Sequence, residues 1–128
     1  MIMRLGVSLT FALFLLAACS LSSSSISCAN TQIDWVNFIE VGSTQYVAGM
    51  SSPAPALQTS DLGPVYAHVK FRVSDHVCDP HYRPRDGDAA FLEIGTSIYQ
   101  VQGHSPTTAL AARFNGQIVL YEAMPPSA

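Results

Sequence analysis

From Val65 to Val73 the chain alternates. Val65, Ala67, Val69, Phe71 and Val73 are apolar, and Tyr66, His68, Lys70 and Arg72 stand between them. A period of two over nine residues puts the two sets on opposite faces of an extended segment and predicts a strand with one buried face. A second pattern lies near the C-terminus. Ala109 to Phe114 is apolar apart from Arg113, Asn115-Gly116 follows, and Gln117 to Glu122 sends Ile118 and Leu120 to one face and Val119 and Tyr121 to the other. Asn-Gly accepts the positive φ angles of a two-residue type I′ turn, so this stretch predicts a hairpin. A first hairpin is expected between Ile33–Val41 and Thr44–Ala48 through Gly42-Ser43, and further strands at Ala89–Ile94 and Ser97–Val101.

Met50 to Pro64 holds three Pro and is expected to be a long loop or an edge crossing, because Pro cannot donate to a sheet ladder. No stretch carries a sustained 3.6-residue period with caps. About six or seven short strands separated by Gly and Pro turns predict an all-β fold, a small antiparallel barrel or sandwich.

The amino terminus follows a different pattern. Met1 to Arg4 carries one Arg, Leu5 to Ala18 is an uncharged and mostly apolar run, and Leu16-Ala17-Ala18-Cys19 closes it. This is the layout of a secretory signal peptide. A permanent span needs about 20 apolar residues and a stop signal, and here the run ends in a Ser-rich stretch without basic residues. Leu16-Ala17-Ala18-Cys19 resembles the lipobox of bacterial lipoproteins, a resemblance that covers residues 1 to 20. It implies that residues 1–18 are removed and that Cys19 becomes the first residue, carrying a diacylglyceryl thioether and an acylated amine. It implies attachment to a membrane through that lipid and an extracytoplasmic location. In bacteria with two membranes a residue other than Asp after the Cys, here Ser20, implies the outer membrane. Residues 19–32 are then a lipidated, Ser-rich tether, too polar and uniform to offset its ordering entropy, residues 33–124 one β domain, and residues 125–128 a tail.

Composition narrows the partners. The chain of 128 residues is 48% hydrophobic and 12% charged, which excludes wholesale disorder and leaves room for one domain. Without Arg4, five basic residues face nine acidic ones, near -4, so no positive field is available to hold a nucleic-acid backbone. Nucleic acid is not an expected partner; an envelope protein or glycan is. Lys70, Arg72, Arg83 and Arg85 are clustered, but Asp75, Asp79, Asp86 and Asp88 interleave with them.

The densest polar segment runs from Asp75 to Asp88. His76, Cys78 and His81, with His104 further on, supply imidazole and thiolate ligands of the kind zinc or copper accepts, but they match no full ligand pattern. A solvated connecting loop explains the same residues through their turn chemistry. Cys28 and Cys78 are the two thiols left once Cys19 is lipidated, and an export compartment is oxidising, so the pair is expected to form a disulfide. Asp86-Gly87-Asp88 fails as an EF-hand start, because the next alternate positions are Ala90 and Leu92. There is no G-x-S-x-G, and His104-Ser105-Pro106 reads as a turn. Glu40, Glu93 and Glu122 are the carboxylates available for glycoside chemistry, and all lie in or at the ends of expected strands. Trp35, Tyr46, Tyr66, Tyr99 and Tyr121 are candidates for a sugar or peptide groove, although strand aromatics mostly serve packing. The expectation is a binding or structural module without catalysis and without a cofactor, with a metal-binding lipoprotein using the His76 to His81 loop as the alternative.

The lipid assignment has a direct check. Intact mass of the membrane-derived protein should begin at Cys19 and exceed the peptide mass by the lipid groups, and Cys19→Ala should abolish both lipidation and normal processing. An unlipidated wild-type product would refute it.

Overall fold

The computed structural model describes Cys28 and residues 33–126. Asn115 and Gly116 have φ of +50° and +75°, the positive pair that a type I′ turn requires. The strands on either side, β7 (Ala109–Phe114) and β8 (Gln117–Ala123), therefore pair without a break from Phe114↔Gln117 to Ala109↔Glu122. Gly42, at φ +63°, turns β1 (Phe38–Val41) into β2 (Thr44–Ala48) with a positive φ at the first turn position alone, and Val41 lies opposite Thr44. The remaining strands are β3 (Leu62–His68), β4 (Phe71–Arg72), β5 (Asp88–Ala89) and β6 (Ser97–Val101). A 3-10 turn, Thr59–Asp61, precedes β3, and a single helical turn, α1 (Val73–His76), follows β4.

All eight strands belong to one sheet in the order β3-β6-β7-β8-β2-β1-β5-β4, curled into a half-barrel. The fold is all-β, as the alternation predicts. Every pairing is antiparallel except that of β4 with β5. Inward-facing residues, Ile39, Tyr46, Ala89, Ile98, Leu110 and Tyr121, come from six different strands and meet in one core. Two of them are tyrosines, and both hydroxyls are satisfied. Tyr46 donates to the Pro106 carbonyl at 2.8 Å and Tyr121 to Asn37 Oδ1 at 3.0 Å.

The nine-residue alternation from Val65 to Val73 is not one strand. It contains the end of β3, then β4, and its last residue, Val73, opens α1; the two strands stand at opposite ends of the sheet although only Val69 and Lys70 separate them. Val69 still belongs to the β6 side, donating to the Thr96 carbonyl at 3.0 Å and accepting from Gly95 N at 2.8 Å. One residue later Lys70 N donates to the Gly87 carbonyl at 2.8 Å, on the β5 side. The apolar positions change cores with the pairing. Ala67 and Val69 pack in the interior, whereas Phe71 and Val73 join a second cluster around Phe38 and Ala90.

Three boundaries also move. The strand expected from Ile33 starts at Phe38, and the one expected over Ala89–Ile94 pairs only at Asp88–Ala89. Beyond it, Ala90 N donates to the Phe38 carbonyl and the chain bends toward Gly95, leaving Ile94 62% exposed. The Pro-rich stretch from Met50 ends in edge strand β3, where Pro64 needs no donor on its outer side.

Gly87 holds the crossing. Its N–H donates to the Glu40 carbonyl at 2.9 Å, and its carbonyl accepts from both Lys70 N and Phe71 N. It has φ +90°, and a Cβ there would lie 2.6 Å from Lys70 Cδ and 2.8 Å from Lys70 Cβ. Gly87→Ala should therefore cost about 3 kcal/mol, combining the left-handed backbone with overpacking. Gly42→Ala, with open space around it, should cost about 1 kcal/mol. Denaturant unfolding of the two variants tests this, and equal losses would contradict the junction role.

Candidate functional site

Two segments fold back over the outer surface of the sheet, and they differ in what lies beneath them. The first is α1 and the chain after it. On β1 Ile39 points inward, so Phe38 points outward, and it is buried beneath this segment with Val73 and Ala90. Trp35 and Tyr82 complete the layer, their rings 6.5 Å apart and edge to face, with Phe38 6.3 Å from Trp35. Large rings fill the space. The segment is tied by the bond between Cys28 and Cys78, whose Cα atoms are 5.4 Å apart. Closing a loop with a sequence separation of 50 stabilises the fold by about 4 kcal/mol in the chain-entropy account. The pairing is the one the thiol count predicts.

The second segment, residues 49–59, passes over the outward face of β8. Because Val119, Tyr121 and Ala123 pack in the core, Ile118, Leu120 and Glu122 point away from it. The covering residues at the middle of this segment are small, Ala54, Pro55 and Ala56, and Leu57 is its one large apolar side chain in the lining. They leave a hollow of about 720 Å³, with an adjoining one of about 410 Å³ that shares Ser51, Pro55, Leu57, Leu120 and Glu122. The ends are held by polar contacts. Ser51 donates to Glu122 Oε1, and Arg113 Nη2 donates to Thr59 Oγ1 at 3.3 Å. The volume falls in the range of small-molecule sites.

Carboxylates cluster where β1, β5 and the 86–88 turn meet. Tyr82 Oη at 2.7 Å and Arg85 N at 2.8 Å both donate to Asp88 Oδ2, and burial, with this bond next, pushes the Tyr82 hydroxyl up to about 12. Asp86 Oδ1 accepts from Gly42 N at 2.8 Å and Oδ2 from Lys70 Nζ at 3.0 Å, which together hold its carboxyl below the ordinary range. Glu40 is 9% exposed, and its carboxyl is pushed up by burial first and by the charges of Asp88 and Asp86 after it. Burial likewise pushes Tyr121 up to about 12.

The structure scatters the sequence candidates. His76 stacks on Phe71 with centroids 5.2 Å apart, His81 is exposed in a turn, His104 lines the smaller hollow, and the Cys78 sulfur is bonded. Among the described residues no three His, Cys, Asp or Glu side chains are grouped to hold a metal ion. Glu40 is buried beside the 86–88 turn, Glu93 is exposed and Glu122 ends the hollow. Of the aromatic candidates, Trp35, Tyr46 and Tyr121 pack in the two cores, and Tyr66 is exposed on the edge strand. Lys70 is paired with Asp86 and Arg72 with Asp75. Cys19 lies outside the described residues. Sequence reasoning missed the hollow, whose only signal was an outward apolar pair on β8 near a Pro-rich loop. No family model matches this chain, and no curated protein or solved structure is significantly similar to it.

Glu40 yields a pH prediction. Its carboxyl titrates higher folded than unfolded, so its contribution is fully present below the ordinary value of 4.5 and is lost as pH rises through the raised one. Wild type should lose stability from about pH 4.5 upward. Glu40→Gln should flatten that slope and raise Tm at pH 7, as read by thermal unfolding across pH. An unchanged slope would contradict it.

Proposed function

We propose that this chain is a lipid-anchored, extracytoplasmic binding module of the bacterial cell envelope, held to the membrane through Cys19 and acting by contact with an envelope protein or glycan rather than by catalysis. The hollow between residues 49–59 and the outward face of β8 carries the reading, because it is a concave, half-apolar surface with polar groups only at its ends. The Cys28–Cys78 bond supports the compartment, since such bonds persist where the medium is oxidising. It also ties Cys28, the residue directly after Ser20–Ser27, to the domain at Cys78, so a pull on the tether is delivered to a covalently braced segment.

A photo-crosslinking side chain at Ala56, in the hollow, tests this in intact cells against the same group at exposed Thr107. Adducts to a specific envelope component should form from Ala56 and not from Thr107. Equal adducts from both, or none from either, would overturn the reading. Stoichiometric zinc or copper in the purified protein, lost on His76→Ala, would instead favour a metal-binding lipoprotein.

A further inference from the structure

We propose that the hollow under residues 49–59 binds a short extended peptide of about four residues, apolar in the middle, with its carboxylate on Arg113 and its amine on Glu122. This rests on the reading of the chain as a binding module and names its ligand class.

The arrangement of charge along β8 carries the inference. Arg113 lies directly opposite Ile118, and Glu122 is four residues beyond Ile118 on the same face. At ~3.3 Å per residue the two backbone positions that carry these charges lie about 13 Å apart along the strand, the length of four extended residues. Between them the floor is Ile118 and Leu120 and the roof is Pro55 and Leu57, which offers burial to apolar side chains and no charge. The ends are not used up internally. Arg113 spends one amino group on a 3.3 Å bond to the Thr59 hydroxyl, which leaves the planar fork free for a carboxylate. Glu122 accepts from Ser51 through Oε1, and its second oxygen has no protein partner among the described residues. An acyl chain would leave both charges unmatched, and a neutral glycan would gain nothing from their opposite signs. A chain with a cation at one end, an anion at the other and apolar groups between complements all three zones.

The open space beneath the loop is also specific to this one of the two covering segments. Under the opposite segment the rings of Phe38, Trp35 and Tyr82 occupy the space, whereas here Ala54, Pro55 and Ala56 leave it open.

Titration calorimetry and backbone NMR of the purified chain with the tetrapeptide Ala-Leu-Leu-Ala test the proposal. The free peptide should bind and shift the amides of Leu57, Ile118 and Leu120. N-acetylation and C-amidation should each weaken binding about tenfold. Glu122→Gln should erase the effect of acetylation and Arg113→Gln that of amidation, each in a protein whose remaining amide spectrum is unchanged. Capped and free peptides binding alike, shifts confined to another face, or binding of a neutral oligosaccharide but of no peptide would each overturn it. Envelope adducts from Ala56 without peptide binding would overturn this ligand class alone, and peptide binding without such adducts would overturn the envelope reading alone.

Discussion

A two-residue passage decides the shape of this molecule. His68 ends the strand at one edge of the sheet and Phe71 begins the strand at the other, so Val69 and Lys70 must bring the two edges together. A sheet of eight strands can satisfy that only by curling, and the curl creates the interior that six strands fill. Gly87 sits at the meeting point with all its backbone groups engaged, donating to β1 and accepting twice from the crossing chain. Its positive φ and its approach to the Lys70 stem leave no room for a side chain. The interior depends on that contact between backbone and backbone.

Once the sheet has curled, its outward face becomes the second problem. Alternation along each strand sends some apolar side chains outward, and a half-barrel has no second sheet to cover them. The chain covers them with its own long connections. One is filled with rings and braced by the Cys28–Cys78 bond; the other is narrow in side chains and stands off the sheet. A packed layer and an open hollow are thus two outcomes of one device, distinguished by the size of the covering residues.

The polar groups at the strand junction are arranged less comfortably than the apolar ones. Asp88 is buried and held by the Tyr82 hydroxyl and Arg85 N, and Asp86 is held by Gly42 N and Lys70. Glu40 is largely withdrawn from solvent and shares their field, so its charged form is disfavoured. The exposed Lys70–Asp86 pair adds little energy by itself, yet it places a cation beside the crossing it flanks.

Much of the local structure was legible before any fold was known. Asn115-Gly116 and Gly42-Ser43 define their hairpins because Asn115, Gly116 and Gly42 accept a positive φ and the flanking strands are neighbours in the chain. The pair of cysteines left for one another was likewise a matter of counting. The Val65–Val73 alternation determined that the segment is extended, and it could not determine that the partner changes at Lys70, because a period of two is the same on either edge of a sheet. The burial of Glu40 escaped for a related reason: it shares the outward face of its strand with Phe38, and what covers that face, here the 86–88 turn, lies far away in sequence. The hollow was not legible at all. Its floor is one face of a hairpin strand, its roof is a loop some sixty residues earlier in the chain, and only the tertiary structure, by curling the sheet beneath that loop, decided that they meet.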